Sequence, residues 1–432
     1  MKEIKNLYIG AINPFALTES LTGRKIDWQK KESADIMEDA LETDYSELFD
    51  MKYNSPLYAG LKLNDQNMAE PVDPSNITIR GENDTETPDL SNIKNLDELE
   101  KLGIKDINKK RIQSLILSRG ILNVRLELPE LDKTLSKTRL SSSLADLVLP
   151  FGTKKDHTPT NCTWKISLDF SRDTSEFSGP VQGAAGNSYF IAALSAVVWA
   201  NPNLILHKNR VTGRAVSRLT SIQFYSKGGE KDAPTKKIEV SDKMVVNEFN
   251  NIPVYCRPNE GTEIYPGIYE KAFAKWILQS DSDKPAIKKT AFGDPVKASA
   301  QLNNKTPRYY LTSTRTGEEL YSIVRSNSMS YKTIHPMTAW TYGSHDDYTG
   351  INLVGNHAYT ILGWAVRNTR RYIIVRNPWG ITEQEGLNNT AGILCSFDKT
   401  FWMPANTIAK EGVFAVEINT FQELFAGMGV AK

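Results

Sequence analysis

Gln182-Gly-Ala-Ala-Gly-Asn-Ser188-Tyr-Phe-Ile-Ala-Ala-Leu194 is a glycine-punctuated loop that turns directly into an apolar segment. The run from Ser188 to Ala200 is long enough for a helix and stops at Asn201-Pro202. It is apolar nearly all round, which predicts burial between two lobes and a rigid mount for its first residue. Position 188 therefore sits at a helix N-terminus. A thiol there would feel the positive end of the helix dipole, which favours thiolate near neutral pH. Serine exploits that field poorly. Taken alone, a serine opening a helix is most often an N-cap. Gln182, six residues earlier, offers a side-chain amide that with the backbone N–H of residue 188 would form an oxyanion hole.

A second stretch completes the chemistry. Gly355-Asn-His357-Ala-Tyr-Thr-Ile-Leu-Gly-Trp leads through Arg367-Asn-Thr-Arg to Tyr372-Ile-Ile-Val-Arg-Asn377-Pro-Trp379-Gly380. Apolar runs on both sides of a polar tip read as a β-hairpin with its turn near residue 367. That register sets His357 opposite Asn377. Directly opposed residues have Cβ atoms about 4.5–5.5 Å apart, close enough for the amide to orient the imidazole. This is the orienting role of a Cys-His-Asn triad. Trp379, two residues on, is placed to cover the His–Asn contact and keep water from competing.

Outward from these motifs the chain changes character. Residues 1 to about 160 are rich in Asp, Glu, Lys, Asn and Ser, and their low hydrophobicity makes independent folding doubtful for parts of them. Short helices are expected at 95–102 and 109–118, a polar loop at 76–88, and a linker at 140–155. Residues 1–155 thus read as an N-terminal region. From 156 to 330 mixed segments surround the apolar helix, with a second helix expected over Ile268–Leu278, and from 331 to 432 alternating strands dominate. The expected fold is α+β: a helical lobe carrying the nucleophile position, then an antiparallel β lobe carrying His357 and Asn377.

Bulk properties narrow the function. Lys plus Arg number 52 against 51 for Asp plus Glu, a balance with no electrostatic footprint for nucleic acid or an anionic membrane. Three widely spaced cysteines, Cys162, Cys256 and Cys395, exclude a disulfide scaffold and a CxxC zinc cluster. No run approaches the roughly 20 apolar residues that span a bilayer. The start, MKEIKNLYIGAINPF, lacks the continuous apolar core of a signal peptide. The chain reads as soluble, and a secreted or cell-surface protein trimmed of its leader fits the same features.

The loop-to-helix motif at 182–193 and the hairpin ending in Asn-Pro-Trp-Gly resemble the calpain branch of papain-fold cysteine peptidases. Glu270-Lys-Ala-Phe-Ala-Lys275 resembles that family's EKAYAK segment, and Phe401-Trp402-Met403 its FWM strand. Order and spacing agree over residues 160 to 420. The resemblance implies a two-lobed endopeptidase acting on extended peptide segments, with catalytic roles at 188, 357 and 377. Gln182 inherits the oxyanion-hole role and Trp379 the shielding role. Serine stands where the family has cysteine, and an alkoxide is far harder to form than a thiolate. Calcium as an activator is also implied, through Glu383, six residues after Asn377, and Asp398 before the FWM strand. The family's other calcium site has an Asp where this chain has Gly179, and Thr400 replaces a companion Glu.

Three readings follow. The favoured one is a calpain-like peptidase precursor inactivated by serine at position 188, with residues 1–155 a pro-segment that is its own inhibitor or substrate. A natural pseudopeptidase that binds peptides or a partner without cleavage is the alternative. Acyl transfer of the transglutaminase kind is the third, and Asn377 argues against it because those folds usually orient the histidine with Asp.

Overall fold

A computed structural model describes residues 7–11, 13, 16, 19, 61–71, 156–159, 162–166, 179–208, 210–212, 219–226, 228–229, 236–258, 264–343, 348, 353–380, 393–394 and 412–432. The loop at 76–88, the helices at 95–102 and 109–118, the linker at 140–155, Glu383, Asp398 and the 401–403 strand lie outside them.

Two short strands, β1 (Leu61–Leu63) and β2 (Ala69–Pro71), pair as a small hairpin. The chain then runs β3 (Cys162–Ile166), β4 (Pro180–Val181), α1 (Ser188–Ala200), β5 (Arg210–Thr212), β6 (Leu219–Phe224), β7 (Lys236–Ser241), β8 (Lys243–Asn247) and β9 (Arg257–Pro258). Next come α2 (Tyr265–Ile277), α3 (Pro295–Asn303), β10 (Pro307–Leu311), α4 (Gly317–Ser326), β11 (Ser328–Met329) and β12 (Lys332–Thr341). The last elements are β13 (Ala358–Arg367), β14 (Arg370–Arg376), β15 (Ile393–Leu394), β16 (Val413–Glu417), α5 (Ile418–Leu424) and β17 (Phe425–Ala431).

The dominant sheet is antiparallel, in the order β10-β17-β12-β13-β14-β16-β15 with β11 added beside β12. It draws in β10 from before residue 331, and the 156–330 stretch carries strands as well as helices. Helices and antiparallel strands together make the mixed α+β character expected from the sequence. Helix α2 begins at Tyr265, ahead of the expected Ile268, because Pro266 is tolerated in a first turn whose N–H groups need no partner.

Helix α1 covers the predicted residues, and Ser188 through Trp199 are all buried. Such a helix needs apolar cover on every side, and α2, α3, β12 and β13 supply it. Phe190 stacks on Phe273 of α2 at 4.0 Å between ring centroids, and Phe273 meets Phe224 and Trp276 edge-on. Trp340 of β12 lies over β17, where a Cβ on Gly427 would sit 2.2 Å from the indole; only glycine lets the ring approach. A second apolar cluster lies between the sheet and α4 and α5, built on Leu320, Val324, Ile361, Ile373, Phe421 and Phe425.

The β13–β14 hairpin forms, with a register different from the one read in the sequence. Its two-residue turn is Asn368-Thr369, both at positive φ (49° and 69°), as a twist-matched tight turn requires. Arg367 pairs with Arg370, and past a bulge between Ile361 and Gly363 the last pair is Thr360 with Arg376. Continued onward, this register sets Tyr359, not His357, opposite Asn377. His357 and Asn377 lie beyond the paired residues, and the two side chains reach each other there.

Truncating Phe190→Ala removes the ring that α2 stacks on and is expected to cost about 3–5 kcal/mol. Urea unfolding monitored by far-UV circular dichroism checks this: the midpoint falls while the slope stays constant.

Candidate active site

The loop before α1 is held from three directions. Gln182 N–H donates to the Pro378 carbonyl at 2.9 Å, and Ala184 N–H to the Val254 carbonyl at 2.9 Å. A Cβ on Gly183 would fall 2.3 Å from the Tyr255 backbone, so the loop is glycine where it crosses that segment. Asn187, not Ser188, caps the helix: its carbonyl accepts from Phe190 and Ile191 N–H at 2.9 and 3.2 Å. Its side-chain Nδ2 donates to Glu270 Oε1 at 2.8 Å. Ser188 is thereby freed from the capping role a lone helix-opening serine would take. Its Oγ is buried and has no hydrogen-bond partner.

Glu270 anchors this arrangement from α2. It is 1% exposed, and its second oxygen accepts from Cys256 N–H at 2.8 Å. Burial pushes its carboxyl up to about 7, opposed by the hydrogen bonds from Asn187 and Cys256. In the sequence Glu270 stands out only as part of the EKAFAK segment. The available signal was a carboxylate on the same helix face as Phe273 and Ala274, a position that favours an apolar side chain unless a buried donor waits for it.

Across from the loop, His357 sits fully buried immediately before β13. Its Nε2 meets Asn377 Oδ1 at 2.9 Å, and the same oxygen accepts from Trp379 N–H at 3.0 Å. An amide oxygen only accepts, so Nε2 carries the proton and Nδ1 holds the lone pair. That Nδ1 is buried without a partner. Thr341 Oγ1 accepts from the His357 backbone N–H at 3.0 Å and fixes the ring's mount. Burial drives the imidazole pKa down to about 3, with the Asn377 bond pulling the other way. The Trp379 ring lies 5.0 Å from the imidazole, tilted 52°.

A side-chain hydrogen bond also joins the two sides: Trp379 Nε1 donates to Gln182 Oε1 at 3.0 Å. Gln182 Nε2 is also engaged, with the carbonyls of Ala185 and Ala11, each at 2.7 Å. Thr360 Oγ1 donates to the Ala192 carbonyl at 2.8 Å, tying β13 to α1 one turn along from Ser188. Arg376, fully buried at the end of β14, donates to the Pro180 carbonyl and to Ser195 Oγ, both at 3.0 Å. Gln182, His357, Asn377 and Trp379 thus form one connected polar group, and Ser188 opens the helix packed against it. Four buried polar atoms along these two segments lack partners: Ser188 Oγ, His357 Nδ1 and the side-chain oxygens of Asn187 and Asn356. A nucleophile and a proton acceptor are the complementary roles the first two can take.

Residues 143–431, about two thirds of the chain, match the family described as calpain family cysteine protease. The chain belongs to that family. A relative from Porphyromonas gingivalis, a thiol protease, is 27% identical over 430 residues, covering 96% of this chain and 86% of its own length. Its similarity therefore extends into the N-terminal region. Among solved structures, an NlpC/P60 endopeptidase from Photobacterium damselae subsp. piscicida covers 49% of this chain and 45% of its own at 10% identity. Its TM-score is 0.16.

Among the described residues no group of three or more His, Cys, Asp or Glu side chains converges as a metal site, and no helix is long and apolar enough to cross a membrane.

The depressed His357 pKa has a direction in pH. The unfolded chain binds this proton near the usual 6.5 and the folded chain only near 3, so folding stability falls as pH drops through that window. NMR of the His357 ring between pH 8 and pH 5 is expected to show no protonation. A midpoint near 6.5 would mean the ring is open to water.

Proposed function

We propose that this calpain-family protease is an endopeptidase precursor whose chemistry belongs to a cysteine at position 188, and that Ser188 leaves the present chain inactive. The observations that carry the reading are two buried, unpartnered atoms, Ser188 Oγ and His357 Nδ1, and a His357–Asn377 bond that fixes the tautomer. With a thiol at 188, His357 Nδ1 takes its proton and the resulting thiolate attacks the substrate carbonyl. The imidazolium then returns the proton to the leaving amine as the acyl-enzyme forms. Asn377 orients the ring through both states. Gln182 Nε2 and the residue 188 N–H stabilise the oxyanion, and Trp379 keeps water from the His–Asn bond.

Serine fails here for an electrostatic reason. The imidazole is buried and neutral, and a hydroxyl releases its proton far less readily than a thiol, so the ion pair does not form. Substrates are peptides or proteins, bound in a cleft between a helical lobe (156–330) and a β lobe (331–432). Residues 1–155 act as a pro-segment. The alternative, a natural pseudopeptidase, has the serine for support, while a site released from catalysis has no physical need to retain Gln182, His357, Asn377 and Trp379 together.

Changing Ser188→Cys is expected to raise hydrolysis of an unfolded protein by on the order of 10³-fold or more, and to shorten the chain in intact-mass spectra. A variant that neither shortens nor cleaves would sink the proposal.

Calcium through Glu383 and Asp398 is proposed on their sequence positions, and no step of the chemistry above passes through it. Hard cations want several oxygen ligands, and these carboxylates would supply two. Calorimetric titration is expected to give binding heat with a higher melting temperature. The absence of both removes calcium from the account.

A further inference from the structure

The first described residues of the N-terminal region, 7–11 and Asn13, run along the site. Ile9 and Gly293 exchange backbone hydrogen bonds in both directions, at 2.8 and 3.0 Å, as neighbouring antiparallel strands do. The next N–H, of Gly10, donates to the carbonyl of Asn356 at 3.0 Å, immediately before His357. The next carbonyl, of Ala11, accepts from Gln182 Nε2 at 2.7 Å. Asn13 Nδ2 then donates to the Gln182 carbonyl at 2.7 Å. Farther on, Glu19 pairs with Arg257 of β9.

The side chains fit as closely as the backbone. Leu7 and Ile9 are buried in the cluster around α1, with Tyr189 and Phe190 among its members. Ala11 packs with Val354 and with Trp379. Gly10 leaves no room for anything larger: a Cβ there would stand 2.2 Å from the Gly186 carbonyl oxygen and 3.0 Å from Phe292 N. Main-chain pairing along an edge, with alternate side chains set in pockets, is how proteins bind an extended peptide as an added strand. Here the peptide belongs to the chain itself.

We infer that residues 7–11 with Asn13 are the resident peptide of this site, a strap that holds it closed by occupying the Gln182 amide in cis, and that the peptides the cleft accepts carry an aliphatic residue followed by glycine. The inference rests on the proposed role of Gln182 and His357 as peptidase groups. A tethered segment meets its site at an effective concentration of about millimolar or above, so modest contacts suffice to keep it seated. The Ala11 carbonyl fills the place where an incoming substrate carbonyl needs a donor, and the Gly10 contact with Asn356 uses the backbone beside the histidine. Ser188 Oγ and His357 Nδ1 are both buried, and residues 7–11 supply neither atom a hydrogen bond.

The test uses the full Ser188 chain, which cannot process itself. Gly10→Val and, separately, Ile9→Asp are introduced, and His357 is followed by NMR titration. Both variants are expected to let the ring titrate above pH 5, where the parent chain stays silent. A synthetic peptide of residues 5–14 is then added; it is expected to bind each variant and silence the ring again, while the same peptide carrying Gly10→Val binds at least about tenfold more weakly. If Ile9→Asp does not fold, Gly10→Val carries the test, with circular dichroism as the control. A ring that stays silent in a folded Gly10→Val chain overturns the strap, and so does a peptide that binds equally well with valine. The Ser188→Cys background separates the two proposals. Casein hydrolysis that is the same with and without Gly10→Val sinks the strap and leaves the peptidase. An inert thiol variant, with His357 still opening in the serine chain, sinks the peptidase reading and leaves the strap.

Discussion

A helix with no polar face sets the terms for the rest of this fold. Twelve of the thirteen residues of α1 are buried, so every side of it demands apolar cover. One layer cannot supply that. Helices α2 and α3 cover part of its surface and strands β12 and β13 the rest, and the elements that cover it also carry the site. Glu270 comes from α2, His357 from the residue before β13, and Ser188 from the helix itself. Burying each large side chain at this junction contributes about 1.5–3 kcal/mol, against about 0.5–1.5 kcal/mol net for a typical neutral hydrogen bond. The polar geometry is thus imposed by apolar packing.

Gln182 shows how the two sides are locked to each other. Its backbone N–H reaches Pro378, its Oε1 accepts from the Trp379 indole, and its Nε2 donates to Ala185 and Ala11. Every one of these bonds is buried, where a missing partner costs about 1–3 kcal/mol. The side chain therefore has little freedom, and its amide points where the loop before α1, the end of β14 and the N-terminal segment meet. Glu270 plays the matching part on the opposite side of Ser188. By taking the Asn187 amide it keeps the helix opening rigid without engaging the hydroxyl beside it.

Much of this was legible in the sequence, and the limits are physical. The extent of α1, the hairpin and the partnership of His357 with Asn377 follow from periodicity, turn residues and spacing. The register did not, because a bulge between Ile361 and Gly363 shifts the ladder, and glycine in a strand marks such a place without saying which way it shifts. The His–Asn contact survives because it forms beyond the last ladder pair, where side-chain reach matters more than alignment. Glu270 was hidden for a different reason: a buried carboxylate is intelligible only once its donors, Asn187 and Cys256, are known to converge from distant parts of the chain. The strap was harder still. Leu7 to Ala11 is a short apolar run among polar residues, with no period to mark it, and its meaning lies in backbone hydrogen bonds that any sequence can make. Only Gly10 left a trace, as a glycine beside two aliphatics.

The burial of the site and the serine bear on each other. A neutral imidazole held well below its usual pKa by burial suits a closed precursor, because no charge has to be kept out of water. A thiolate–imidazolium pair would need solvation or opposing dipoles that a covered pocket supplies poorly, even at the N-terminus of α1. Opening the cleft and ionising the pair are then coupled: whatever lifts the N-terminal segment from Gln182 also admits the water and peptide dipoles that favour charge separation. In that account the covering strap acts twice, by filling the carbonyl-binding place and by holding the acid–base pair in its uncharged form. A thiol at position 188 would remain protonated and quiet until the segment left. Serine removes the second control altogether, since opening the site gives it no comparable ion pair to form.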